Sequence, residues 1–186
     1  MAISTIGQNG LNAPLSLTSP TIATPTFTGQ ATIPTINLTG GQITFPATQS
    51  ASSDANTLDD YEEGTWTPNV GGTATYQAQT GQYIKTGRFV YATFDMIINQ
   101  IGTGSTNGIS GLPFSAGGSS QGQAGSVGYF ASLPNGVYYI ALRLDLNSTT
   151  IATAATQGIQ TTITNGLTIF ANSSRLIGSI YYCSSA

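Results

Sequence analysis

An acidic stretch divides the chain into two halves of different composition, and its sequence is Leu58-Asp59-Asp60-Tyr61-Glu62-Glu63-Gly64-Thr65-Trp66-Thr67-Pro68. The residues before Asp54 carry no charge, whereas the segment from Asp54 to Glu63 holds five of the seven acidic residues. Strand-like patterns begin only after the single tryptophan. We therefore interpret the stretch as a hinge between an extended arm, residues 1–55, and a β domain, residues 56–186. The residues of this hinge motif are Asp59, Asp60, Tyr61, Glu62, Glu63, Gly64 and Trp66.

The hinge motif also contains helix-end signals. Thr57 and Asp60 have the spacing of a capping box, and Gly64 suits the position after a helix end. These signals predict one acidic helical turn. Clustered carboxylates also offer oxygen ligands to Ca²⁺, but the cluster lacks the alternating spacing of a calcium loop, so we favour a solvated turn.

Two later segments accompany the hinge motif, namely Tyr76-Gln77-Ala78-Gln79-Thr80-Gly81-Gln82-Tyr83-Ile84-Lys85-Thr86-Gly87 and Ile109-Ser110-Gly111-Leu112-Pro113-Phe114. Together with Asp59–Pro68, they resemble a domain found in tail fibres, head fibres and capsid decorations of tailed phages. The resemblance covers roughly residues 56–115. It implies a β-rich, homotrimeric structural protein that is made in the cytoplasm of a bacterial host and located on the outer surface of the virion.

Composition narrows the classes of function. Charged residues make up 6% of the 186 residues, against about 25% in typical soluble proteins. The net charge is −3 with four basic residues, so no basic patch is available for nucleic acid. No apolar run approaches the ~18 residues of a membrane helix, and the N-terminus lacks the basic and apolar regions of a signal peptide. We therefore predict neither nucleic-acid nor membrane partners.

Catalytic and metal chemistry has few candidate residues. The chain has no histidine and a single cysteine, Cys183, which excludes histidine triads and thiolate or histidine zinc sites. We predict no cofactor and interpret Cys183 as a small apolar residue of the last strand. Asp95 and Asp145 are the carboxylates that a glycosidase could use. Both lie near arginines in the sequence, which favours structural ion pairs and a protein that is not an enzyme.

The arm is uncharged but not polar. Residues 1–53 contain five of the eight prolines, which disfavour helices and central strands. Apolar residues recur every few positions, and an extended chain cannot bury them alone. We predict that sister chains or another virion protein hold this arm. The proposed apolar anchors are Ile3, Ile6, Leu11, Leu15, Leu17, Ile22, Phe27, Ile33, Ile36, Leu38, Ile43 and Phe45.

The second half shows the two-residue period of β-strands. Val90, Ala92, Phe94, Met96 and Ile98 share one face of a strand. A second row contains Tyr138, Ile140, Leu142, Leu144 and Leu146, and Asn165-Gly166 predicts a hairpin between Ile159–Ile163 and Leu167–Ile169. About eight strands predict an all-β fold, an antiparallel, jelly-roll-like sandwich. The opposite face of the first strand is also partly apolar, and we predict a subunit interface at Phe89, Tyr91 and Ile97.

These observations lead to three alternatives. We expect a capsid decoration or cement protein, whose arm binds the major capsid protein. The second alternative is a short tail-fibre subunit, held by tail proteins, whose tip binds a glycan or protein of the host surface. The least favoured is a polysaccharide-degrading tailspike.

Overall fold

The computed structural model describes residues 35–48, 50, 52, 54, 56–117, 123–134, 136–157, 164–165 and 167–185. The chain divides into two units, Met1–Gln42 and Ile43–Ala186. In the first unit, residues 35–42 have no helix or strand, and Ile36 and Leu38 are exposed. In the second unit, Ile43 is exposed and Phe45 is partly buried. The other proposed anchors, Ile3 to Ile33, lie outside the described residues.

The described part of the second unit is built from β-strands. They are β1 (Tyr61–Trp66), β2 (Thr75–Thr86), β3 (Phe89–Gln100), β4 (Gly108–Ile109), β5 (Gln123–Ala131), β6 (Val137–Leu144), β7 (Ile151–Gln157), β8 (Thr164–Asn165) and β9 (Arg175–Cys183). All pairs are antiparallel. The strand order is β1-β2-β3-β9-β5-β6-β7-β4, and β8 pairs with β7. The all-β, antiparallel prediction is confirmed.

The inner face of this sheet surrounds one hydrophobic core. In β3 the alternate residues Val90 to Ile98 are buried, as the two-residue period predicts. They join β9 residues and the buried row of β6 in the same cluster. The cluster also includes Trp66 of β1 and Ile109 of β4, the first and last strands of the order. Strands from both ends of the sheet order thus contribute to one core, so the sheet is curled over it.

The predicted helical turn in the hinge motif is wrong. Tyr61–Trp66 forms β1, in which Glu63 pairs with Ile84 and Gly64 pairs with Tyr83 of β2. The capping signals act only over neighbouring residues, whereas pairing with β2 satisfies the backbone groups on one side of the whole strand. This longer-range pairing determines the local structure.

Two details of the later strands also differ from expectation. Asn165 lies in β8, paired with Ala154, while residues 167–170 are not in a strand. Residues 158–163 and 166, the rest of the predicted hairpin, lie outside the described chain. In β6 a register shift between Val137 and Tyr139 precedes the buried row, and β6 ends at Leu144. Ile140, Leu142 and Leu144 are therefore buried, but Tyr138 and Leu146 are exposed.

Candidate assembly site

The hinge motif and the two later segments quoted with it in the sequence analysis meet at a buried ion pair. Asp60, just before β1, bonds to Lys85 of β2, and their side chains are 7% and 4% exposed. The Lys85 ammonium also lies 5.4 Å from the ring centre of Phe114, in the third segment. The Gly87 N–H donates a hydrogen bond of 2.8 Å to the Asp60 carbonyl. Charge, ring and backbone contacts thus join the start of β1 to the end of β2.

Each of the first two segments places a glycine opposite an aromatic residue of the other. Gly64 pairs with Tyr83, and Trp66 pairs with Gly81. A Cβ atom on Gly81 would lie 2.4 Å from Trp66 Nε1, and one on Gly64 would lie 2.7 Å from the Tyr83 ring. With Gly81 in place, the buried Trp66 indole donates a hydrogen bond of 3.0 Å to the Thr93 carbonyl. The glycines leave room for the rings to cross the neighbouring strand.

Phe114 links this cluster to the last strand. Its ring meets Tyr83 edge to face at 5.4 Å, and its carbonyl accepts a hydrogen bond of 3.0 Å from the Tyr182 hydroxyl. Burial raises the pKa of Tyr182 to about 12. Burial, and then the Glu62 carboxylate, raise the pKa of Tyr83. The three segments therefore form a structural framework in which two tyrosines stay neutral at ordinary pH.

The opposite side of the same strands is an exposed face, which we call the outer face. The register aligns side chains of β1, β2, β3, β9 and β5 in rows across the sheet. One row begins at Glu63 on β1 and continues with three large side chains, Ile84, Tyr91 and Tyr181, which are 47%, 42% and 52% exposed. The adjacent row contains Tyr61, Phe89 and Cys183, all exposed. We call these two rows the apolar rows.

The next row across the outer face is polar, and consists of Thr65, Gln82, Thr93, Ser179 and Ser126. Two shallow depressions, of about 810 and 420 Å³, lie over it. Beyond this polar row, Arg175 binds the Asp95 carboxylate through two hydrogen bonds of 2.7 and 3.1 Å. Asp95 raises the pKa of Arg175, and the guanidinium lies 5.6 Å from the Tyr129 ring centre.

The predicted interface residues divide between two places on the outer face. Phe89 and Tyr91 lie in the apolar rows, whereas Ile97 is partly buried at the far end of β3, opposite Arg175. Sequence reasoning missed Ile84 and Tyr181, which complete the row of Tyr91. The alternation of β2 and β9 placed them on one face of their own strands, but the register that aligns them with Tyr91 is not visible in the sequence.

The hinge-motif residues do not act as one unit. Asp60 points into the buried ion pair, while the exposed Tyr61 hydroxyl donates to the Glu63 carboxylate, which raises the pKa of Tyr61. Asp59 accepts a hydrogen bond of 2.9 Å from the Ser52 N–H. Within the described ranges, no three His, Cys, Asp or Glu side chains come together as a metal site.

The two candidate glycosidase carboxylates each bind an arginine. Asp95 binds Arg175, and Asp145 lies 3.1 Å from the Arg143 guanidinium. Arg88, which is closer to Asp95 in sequence, instead donates to the Ser184 carbonyl at 3.1 Å. The expected ion pairing of both carboxylates is therefore present. Among the described residues, no helix has the length and apolar character needed to cross a membrane.

Comparison with known proteins finds a likeness of fold. No family model and no curated protein matches the chain. Among solved structures, the fold is similar to the Dettilon tailspike protein (gp208), with a TM-score of 0.54 and 22% sequence identity. The match covers 67% of this chain and 24% of the tailspike chain, so this chain spans about a quarter of that protein. At this identity the likeness concerns the fold alone.

Proposed function

We propose that this protein is a non-enzymatic structural component on the outer surface of a tailed-phage particle, assembled as a homotrimer. The observation that carries the proposal is the convergence of the three phage-like segments on the buried Asp60–Lys85 pair and Phe114. These segments lie apart in sequence, and yet their shared residues contact one another. The resemblance therefore concerns the residues that build a domain, rather than scattered similarities.

Of the possible positions on the particle, we favour the tail, as a fibre or tailspike subunit. The fold likeness to the Dettilon tailspike protein supports this choice. In this role the β domain is an assembly domain, and tail proteins hold the N-terminal arm. Host-surface glycans or proteins are the targets that such a subunit would bind.

Capsid decoration is the second candidate, and a separate observation favours it. Ile36 and Leu38 in the first unit, and Ile43 in the second, are exposed apolar side chains. Burial of such side chains against a capsid would contribute about 25 cal/mol per Å² of apolar area. Since residues 1–53 carry no charge, an attachment of this kind would resist high salt.

Particles that lack this protein distinguish the two positions. A tail role predicts heads of normal heat stability and a loss of adsorption to host cells. Capsid decoration predicts release of DNA at a lower temperature with normal adsorption. Both measurements belong on the same particles, together with imaging of virions that carry a tag at residue 186. Particles without any tag signal would contradict the virion assignment itself.

A further inference from the structure

The outer face contains a larger apolar surface than one chain needs for its own folding. We infer that copies of this chain bind one another through the outer face of β1, β2, β3, β9 and β5, with the aromatic side chains of one copy seated in the depressions of the next. This inference rests on the homotrimer of the proposed function and specifies which surface joins the copies.

The apolar rows are continuous across neighbouring strands. Ile84, Tyr91 and Tyr181 are direct cross-strand partners, and Phe89, 51% exposed, lies in the adjacent row. Their inner-face neighbours already fill the core, so the exposed halves of these side chains are apolar surface that the single chain leaves in water. Contiguous exposed apolar surface of this kind marks interaction sites in soluble proteins.

The shape of the outer face favours a second copy as its partner. The apolar rows project large side chains, whereas the polar row beside them consists mainly of threonine and serine and lies under the two depressions. A cavity of about 150 Å³ holds one benzene ring, so depressions of about 420 and 810 Å³ have room for the aromatic side chains of a neighbour. One face thus contains both projections and depressions, which allows head-to-tail contacts that close into a ring.

Charge and size agree with this partner. The charged side chains in the aligned rows are Glu63, Asp95 and Arg175, and the last two already bind each other. Few charges would therefore lose water on contact. A full grid of five strands ~4.8 Å apart and five rows ~6.8 Å apart covers roughly 800 Å². In a ring of three, each copy buries this face against two neighbours, and the total is then close to the area of about 800 Å² that a stable interface buries on each partner. The whole outer face, including the polar row, is therefore required.

The test uses the full chain and replaces one exposed side chain at a time. Tyr91→Glu and Tyr181→Glu each replace a large aromatic side chain with a carboxylate, in the row where Glu63 on β1 is the existing charge. Tyr138→Glu is the matched control on β6, where the side chain is 70% exposed. Circular dichroism checks that each variant is folded. Sedimentation measures the mass of the assembly, and maleimide labelling of Cys183, which lies opposite Phe89, reports access to the outer face.

We expect the wild type and Tyr138→Glu to be trimers with slowly labelled Cys183. Tyr91→Glu and Tyr181→Glu should sediment as monomers, or as trimers that the arm still holds together. In both cases Cys183 should react with maleimide about tenfold faster than in the wild type, because the interface is open. Equal labelling rates in the wild type and in folded Tyr91→Glu would overturn the inference. If these variants do not fold, a photo-crosslinking residue at position 91 replaces them. It must crosslink two copies of the chain, whereas the same residue at position 138 must not.

Failure of the interface is distinguishable from failure of the proposed function. A trimer with fully reactive Cys183 would overturn the interface and leave the homotrimer intact. A monomeric wild type would overturn both the interface and the homotrimer, while imaging of tagged virions would decide the location separately. In either case the outer face would be open, and binding of purified host polysaccharide to it would identify a sugar as the occupant instead of a second copy.

Discussion

At Gly81 the backbone leaves space that the Trp66 indole occupies. A methyl group at this position would lie 2.4 Å from Trp66 Nε1, whose hydrogen bond to Thr93 fixes the ring. Overpacking of this kind typically costs 1–3 kcal/mol, so we expect Gly81→Ala to lower the free energy of unfolding by about 2 kcal/mol. Urea denaturation followed by tryptophan fluorescence measures the change.

Gly128→Ala is the control for this substitution, because nothing lies within 4 Å of the added Cβ. Its effect should stay within about 0.5 kcal/mol of the wild type. If Gly81→Ala and Gly128→Ala destabilised the protein equally, the space that Trp66 fills would not explain the need for glycine at position 81.

Tyr182 gives the fold a specific dependence on alkaline pH. Its pKa is raised from 10.0 to about 12 because the folded state buries the hydroxyl. Below pH 10 the hydroxyl keeps its proton in both states, and its contribution to stability is complete. Between pH 10 and 12 the unfolded chain loses the proton first, so stability falls by about 2–3 kcal/mol across this window.

Tyr182→Phe tests this dependence. The variant should lose about 1 kcal/mol at neutral pH with the hydrogen bond to Phe114, but its stability should fall less steeply above pH 10. Urea midpoints at pH 8, 10 and 11 compare the two proteins. Parallel curves for the wild type and the variant would contradict the assignment of the alkaline loss to Tyr182.

At the scale of strands, the buried ion pair decides how β1 joins β2. Removal of one partner leaves the other charge buried and uncompensated, which costs about 3–5 kcal/mol. We therefore expect Lys85→Met to destabilise the protein by this amount, and the double variant Asp60→Leu with Lys85→Met to recover most of the loss. Denaturant unfolding of the single and double variants measures the coupling; additive effects would contradict it.

The strands also show how far the sequence predicts this fold. The alternation of apolar residues was sufficient to predict β3, because burial of one face of a strand places an apolar residue at every second position. The hinge motif was misinterpreted as a helical turn because its capping signals are local, while its pairing partners, Gly81 to Thr86, lie 15 to 25 residues further along the chain. For the same reason, the contact of Asp60 with Lys85 and Phe114, and the alignment of Ile84, Tyr91 and Tyr181, were not predictable from one sequence.

For the whole molecule, the position of the core predicts which residues can be deleted without loss of the β domain's fold. All residues of the core cluster lie between Trp66 and Tyr182. We therefore expect a protein that lacks residues 1–42 to keep the strand content and the cooperative thermal unfolding of the β domain. Circular dichroism and calorimetry test this. Deletion of residues 1–66 is the contrasting variant, because it also removes β1 and Asp60, and it should unfold at a lower temperature.

The position of β1 in the sheet has a consequence for aggregation of the protein. Among the described strands it is the first in the order, with a single neighbour, so one side of its backbone is open to pairing. If two molecules joined their β1 strands edge to edge, Glu62 and Glu63 of one would approach the same carboxylates of the other, and like charges across paired strands repel. The two glutamates thus oppose growth of the sheet into filaments, a protection that added salt weakens by screening.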